Sequence, residues 1–329
     1  MAYNLSRKTL ILAKTQTAAG TDSVPTAAAN AMLAFNEVNP ISVDTKIVQL
    51  QPLRASFTGF QQIVGRQKVM VKPKMALQNA PLAGASPAGG LPPYFAAFLK
   101  ACGLAETSGV SSGSSYVQYA PTSNAFFGAS IYVYAQDILH KVLDAVGNGI
   151  LDMKAGDAAM WEFSMEGTYQ TPANNGTTLP APASITYPKN SYTLVESESV
   201  TIGGFAPVLI SARLDFGNKI TERSSFNASR GYLSSLEVDR DSKLNLVLEC
   251  ENDLSNKNFF DLLSKGTVVD NIDLTHGVNL GQGNLCLLHI DKPQLTKVDY
   301  QDQNGIRTYA LEYTLQSLVD DGEFSITFK

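Results

Sequence analysis

Three observations predict a mainly β chain built as two tandem, similarly ordered halves, each with one short helix. The same order of elements occurs twice, the long segments of both halves alternate apolar and polar residues, and a proline-rich polar stretch lies between them. In the first half a strand-like run over 47–57 leads through Thr58-Gly59 into an alternating segment over 63–77. An aromatic helix over 93–102 follows, then a β-rich stretch ending at Tyr169. The second half repeats this order with 208–216, 232–251, a helix over 257–265 and a β-rich stretch to the last residue. The helices match in pattern rather than identity: Pro93-Tyr94-Phe95-Ala96-Ala97-Phe98-Leu99-Lys100 stands against Asn258-Phe259-Phe260-Asp261-Leu262-Leu263-Ser264-Lys265.

Each element follows from local chemistry. Residues 1–45 hold a short apolar strand over 9–13 and an Ala/Thr-rich run over 17–34 that buries little alone. That run reads either as a flexible leader or as an arm ordering against a neighbouring subunit. In the segment from Lys68 to Met75 the lysines share one face, and Val69, Val71 and Met75 share the other, as in a strand with one buried side. Pro73 has no N–H to donate, which predicts an edge or a bulge. Residues 79–91, rich in Ala, Gly and Pro, read as an exposed loop absent from the second half.

In the second half Leu244, Leu246, Leu248 and Cys250 alternate with Asn245, Val247, Glu249 and Glu251. Strands over 130–134, 159–169, 285–290, 308–317 and 323–328 complete the sheets, and Gln303-Asn304-Gly305-Ile306 is a hairpin turn. Residues 171–188 hold four prolines and a polar Asn-Asn-Gly-Thr-Thr, a linker composition. The expected organisation is an N-terminal arm with the first strand over 1–45, a first domain over 46–170, a linker over 171–189 and a second domain over 190–329.

Bulk properties narrow the function. Cys102, Cys250 and Cys286 are odd in number and widely spaced, which argues against a disulfide framework and for a reducing compartment. The apolar run after Arg7-Lys8 is too short for a signal segment or a membrane span, so neither export nor membrane insertion is expected. The net charge of −5 conceals an asymmetry. Residues 1–189 carry 13 Lys+Arg and 10 Asp+Glu, giving +3, and residues 190–329 carry 12 and 20, giving −8. Such halves either present ordinary solvated surfaces or meet charge to charge in an assembly. Tight DNA binding needs clustered cations, and the acidic balance opposes it.

No catalytic or metal constellation emerges. Gly109-Val110-Ser111-Ser112-Gly113 spells a nucleophile elbow, but an elbow needs a strand before Ser111 and a helix after it, and here a helix precedes. His140, His276 and His289 are dispersed, and Cys286 with His289 lacks a second ligand pair for zinc. Gly281 and Gly283 lack the third glycine and the helix of a phosphate-binding turn. Asp320-Asp321 and Glu196 with Glu198 read as surface charge. Trp161 alternates with polar neighbours as a core residue does. No enzyme activity and no cofactor are expected.

Several strings resemble the tail tube (major tail) proteins of long-tailed bacteriophages. They are Arg7-Lys8-Thr9-Leu10-Ile11-Leu12-Ala13-Lys14, Thr21-Asp22-Ser23-Val24-Pro25-Thr26-Ala27-Ala28-Ala29-Asn30-Ala31, Leu99-Lys100-Ala101-Cys102-Gly103-Leu104-Ala105 and Val117-Gln118-Tyr119-Ala120-Pro121-Thr122-Ser123. The resemblance covers about the first 170 residues, and it extends to the rest by fold pattern. Gly147-Asn148-Gly149 departs from it as a less basic turn than expected. The resemblance implies a β-sandwich or barrel with a short flanking helix in each domain, and subunits joined edge to edge into stacked rings. It also implies a virion location after assembly in the bacterial cytoplasm. The implied partners are further copies of the chain, a tape-measure protein and tail terminator or tip proteins, with DNA passing through the lumen without specific binding.

Duplication suggests three chains per ring with pseudo-sixfold symmetry. The alternatives are six chains with an immunoglobulin-like outer domain over 190–329 and, from other classes, a serine hydrolase or a carbohydrate-binding tail-tip protein. The segments over 63–77 and 232–251 are expected as neighbours in an inter-subunit barrel. Leu246 would lie within that ladder, and Lys68, Lys72 and Lys74 would face Glu249 and Glu251 of the other domain.

Overall fold

The computed structural model describes residues 7–35, 40–78, 92–111, 114–124, 128–172, 179–187, 194–196, 198–251, 254–277 and 285–329, and the chain is mainly β. The first half begins with β1 (Thr9–Thr15), β2 (Ala31–Met32), β3 (Ile41–Gln49), β4 (Gln62–Val71) and β5 (Lys74–Ala76). After the helix α1 (Ala96–Ala101) come β6 (Leu104–Ser111), β7 (Ser114–Pro121), β8 (Ala129–Ala135), β9 (Ile138–Lys154) and β10 (Met160–Tyr169). The second half opens with β11 (Ser199–Ile202), β12 (Leu209–Asp215), β13 (Asn218–Ser224), β14 (Tyr232–Arg240) and β15 (Lys243–Glu249). The helix α2 (Phe259–Lys265) precedes β16 (Ile272–His276), β17 (Cys286–Ile290), β18 (Gln294–Gln303), β19 (Ile306–Thr314) and β20 (Phe324–Phe328).

Among the described residues three sheets result. The largest runs in the order β18-β19-β15-β12-β9-β10-β4-β3, with β8, β1 and β2 added beside β9 and with β5 on β10. The second runs β11-β16-β17-β20-β7-β6, and β13 pairs with β14 alone. Both larger sheets cross from one half of the chain to the other. β12 pairs with β9 from Ser211↔Lys154 to Asp215↔Ile150, and β20 pairs with β7 through Ile326↔Tyr119 and Phe328↔Val117.

The inward faces of both sheets share one apolar cluster. Trp161, fully buried, stacks on Phe163 at 5.5 Å and lies 5.9 Å from Phe95 and 5.7 Å from Phe216. Phe216 in turn stacks on Phe324 at 5.3 Å, and Phe95 meets Phe328 at 5.8 Å, so rings from both halves interlock. Rings of this size dominate core energetics, which makes the two halves one packing unit. The helices cap it. Phe98 and Leu99 of α1 are fully buried, and Asn258 caps α2 by accepting the Asp261 N–H at 3.0 Å, while Gly266 ends it in the left-handed region.

Several expectations move. The strand expected over 47–57 is β3, displaced to Ile41–Gln49, and residues 50–61 carry no regular strand; Pro52 offers no donor to a ladder there. Pro73 does interrupt its strand, separating β4 from β5, while its carbonyl still accepts the Phe163 N–H at 3.1 Å. Gly147-Asn148-Gly149 is no turn: it lies inside β9, which spans 17 residues. A Cβ at Gly147 would collide with the Met165 thioether and the Ser164 carbonyl, and one at Gly149 would stand 2.6 Å from the Phe216 ring. These glycines admit large neighbours rather than bending the chain.

The Ala/Thr-rich run over 17–34 orders on its own chain. Asp22 accepts from Lys141 Nζ at 3.0 Å and from the Tyr132 hydroxyl, and Ala31 pairs with Leu12. Asn304 and Gly305 both adopt positive φ, as the expected hairpin turn requires. The loop expected over 79–91 and the Gly281/Gly283 segment lie outside the described residues, as does part of the expected linker.

Candidate assembly edges

The two halves repeat not only their order but their strand register. Adding 173 to both members of the pairs Ile41↔Val71, Thr45↔Gln67, Ile47↔Val64 and Gln49↔Gln62 gives Leu214↔Leu244, Asn218↔Arg240, Ile220↔Glu237 and Glu222↔Ser235, all of which are partners. The register irregularity after Thr45 in β3 has its counterpart after Lys219 in β13. Adding 148 to Trp161 and Met165 gives Tyr309 and Tyr313. These pair with Leu248 and Leu244, which are the counterparts of Met75 and Val71. The first half therefore contributes β9-β10-β4-β3 to the large sheet, and the second contributes β18-β19-β15-β12 in the same order.

That equivalence exposes what is missing at the ends. Inside the chain the halves meet where β12, whose last residues Leu214 and Asp215 are the counterparts of Ile41 and Ser42 at the start of β3, pairs with β9, the counterpart of β18. At the sheet ends, among the described residues, β3 pairs with β4 alone, and β18 pairs with β19 along its length, with one further bridge from Gln294 at its start to Val268. Leu214 and Leu151, partners at the internal junction, are 0% and 1% exposed. Their counterparts are Ile41, half-buried, and Tyr300, 55% exposed. Along the rest of β3, Val43, Ile47 and Val48 are exposed too. Strands with this composition and unpaired backbone on one side are templates for pairing with another chain.

Aromatic rings line the β18 edge. Tyr300 stacks on Tyr309 at 5.3 Å and meets Phe260 at 5.4 Å, with the Arg307 guanidinium 5.3 Å from its ring. Burial, reinforced by hydrogen bonding with Tyr300, pushes the Tyr309 hydroxyl up to about 12. The ring that meets Tyr309 as Phe95 meets Trp161 is Phe259, at 5.6 Å, one residue before the one the sequence pattern aligns.

Of the residues singled out from the sequence, Lys68, Lys74, Leu246 and Glu249 lie on strands paired within the chain, Lys72 lies between β4 and β5, and Glu251 follows β15. Leu246 is 1% exposed in β15, with Ala212 on one side and Leu311 on the other, so its ladders are filled within the chain. Lys68 pairs with Glu166 at 2.8 Å and with Glu222 at 2.9 Å, and Lys74 with Glu162 at 2.9 Å. Glu251 accepts from Asn256 at 2.9 Å, and the Glu249 N–H bonds the Val208 carbonyl at 3.0 Å. Lys72 lies between β4 and β5, its N–H bonded to the Pro40 carbonyl at 2.7 Å. The structure does not bring the lysine stripe to Glu249 and Glu251 within one chain. The signal that finds the edges, the repeated register, needs the pairing partners and is invisible in composition.

The other motifs stay apart. Ser111 ends β6, and the next described element is β7, its hairpin partner, with no helix. His276 pairs with Glu198 at 2.7 Å and His289 with Asp273 at 2.5 Å, and burial lowers the pKa of His140. Cys102, Cys250 and Cys286 are free thiols. Among the described residues, no His, Cys, Asp and Glu group is placed to hold a metal, and no helix is long and apolar enough to cross a membrane.

A family model described as phage tail tube protein matches residues 6–314 of the chain. No curated protein matches it.

Proposed function

The chain belongs to the phage tail tube protein family, and from that premise we propose that its copies join β3 to β18 into rings that stack as the tail tube. The single observation that carries this is the internal β12–β9 junction, a worked example of the contact that β3 and β18 lack. Repeating it places Ile41 opposite Tyr300 of the next copy. Such contacts are heterologous, so they close into a ring only when the rotation per chain divides the circle. With two tube domains per chain, each of sandwich type, three chains supply six units. The unbroken large sheet supports this over a second half standing outside the wall.

Charge favours the same arrangement. Every junction, internal or between chains, sets the half of charge +3 against the half of charge −8. Exposed pairs contribute only about 0.2–1 kcal/mol each, so they select the partner more than they hold it. The tube is a passage through which DNA moves without specific binding, beside tape-measure and terminator or tip proteins, and performs no catalysis. Negative-stain microscopy of the purified protein tests the reading. Rings or tubes are expected from the wild type and monomers from Val43→Lys with Tyr300→Lys, because lysine on an edge strand opposes pairing. Rings from the double variant would refute the edge assignment, and monomers from the wild type at high concentration would refute ring formation.

A further inference from the structure

The hairpin of β13 and β14 lies across the first half of its own chain. Asn218 Nδ2 donates to the carbonyls of Cys102, at 2.8 Å, and of Gly147, at 2.9 Å. Glu222 pairs with Arg66 and Lys68, and the Glu237 carboxylate covers Gly103 so closely that a Cβ there would collide with it. Gly103 follows α1 in the left-handed region, as Gly266 follows α2. Yet a Cβ at Gly266 would meet only Gln294 Nε2, at 3.6 Å. Among the described residues, the second helix end therefore lacks the cover that the first one has.

The counterpart of this hairpin, with the same register and the same number of residues, is the segment over 45–67. Its residues at the covering positions are Ile47 for Ile220 and Val64 for Glu237, 53% and 51% exposed. Leu50, Leu53, Phe57, Phe60 and Ile63 are exposed beside them. An apolar set of this extent in one segment marks an interaction site. The segment carries Lys46, Arg54 and Arg66 and no acidic residue, whereas residues 190–329 carry −8.

We propose that residues 45–67 form a strap that lies across the second half of a neighbouring copy in the ring, as 218–240 lies across the first half of its own chain. This rests on the ring reading above, since the start of β3, where Ile41 would pair with the neighbour's β18, leads directly into the strap. Val64 then covers Gly266 of the neighbour, in the place Glu237 takes over Gly103. Thr45 stands where Asn218 does, with its hydroxyl facing the neighbour's Lys265 carbonyl, the counterpart of Cys102. An apolar Val64 suits a docking formed after folding, because it costs no buried charge on assembly.

The test uses the full chain with Val64→Cys and Lys265→Cys, assembled and then mildly oxidised. Non-reducing electrophoresis should show linked dimers and trimers from isolated rings, with each single-cysteine variant giving less than a tenth of that yield. Val64→Asp in a second preparation should reduce ring yield at least tenfold while leaving the melting temperature of the monomer unchanged, because the side chain is exposed there. Rings without cross-links, together with normal assembly of Val64→Asp, would overturn the strap and leave the ring reading intact. Cross-links that appear only in stacked tubes would also overturn it, by placing the segment between rings. Failure of the wild type to form rings would overturn both.

Discussion

Glu237→Gln should stabilise the folded chain at alkaline pH and leave it nearly unchanged in acid. Glu237 sits on β14 with its side chain only 7% exposed, against Gly103, and among the described residues its one ion-pair partner is Arg240 at 3.7 Å. Burial raises its pKa from 4.5 to about 7, outweighing the attraction of Arg240. A carboxyl whose pKa is raised on folding favours the folded state while protonated. That contribution is fully present below pH 4.5 and is lost as pH rises through 7. The difference of roughly 2.5 pKa units, at about 1.36 kcal/mol each, sets an upper bound of about 3 kcal/mol. Arg240 keeps Glu323 at 3.1 Å and Asp321 at 3.5 Å, so the variant does not strand it. Urea unfolding at pH 4, 6 and 8 should show the variant overtaking the wild type by about 1–3 kcal/mol at pH 8, with little difference at pH 4. A gap that does not change with pH would refute the buried, covering position of this carboxylate.

Three further outcomes follow from the same packing. Burial raises the Asp22 carboxyl, but hydrogen bonds from Tyr132, the Val24 N–H and Lys141 outweigh it and hold the pKa below 3.8. The stability this supplies is present above pH 3.8 and lost as pH falls, so Asp22→Asn should lose about 1–2 kcal/mol at pH 7 by chemical unfolding and much less at pH 2. Leu246→Pro should unfold the chain rather than only block tubes, since it removes a ladder donor from a central strand and leaves a buried acceptor unsatisfied at a cost of about 1–3 kcal/mol, on top of the misfit of the proline ring; a native circular dichroism spectrum would contradict this. Ser111→Ala should leave folding, assembly and infectivity as they are, and loss of a hydrolytic activity in that variant would point to catalysis.

Much of the fold was legible because alternation survives in strands with one buried face. The strands found as β10, β15 and β20 are of that kind, and their burial alternates residue by residue. β9 was not legible, because Gly147 and Gly149 look like turn residues and only the Phe216 and Met165 side chains reveal why they are small. The division into halves was visible as an order of elements, while the sheets that fuse them arise from β9–β12 and β7–β20 pairings between distant residues. Of the interface residues suggested by charge stripes, Lys68 of β4 pairs with Glu166 and Lys74 of β5 with Glu162 across the sheet within the same half. Edge strands are set by which ladders remain unfilled, and that depends on all the others.

Cryo-electron microscopy of the assembled protein tests the central claim most directly. The account predicts rings of three chains whose wall contains both halves, with β3 of each chain antiparallel to β18 of the next and Ile41 opposite Tyr300. A ring of six chains with residues 190–329 outside the wall, or one that leaves β3 and β18 open to solvent, would contradict it.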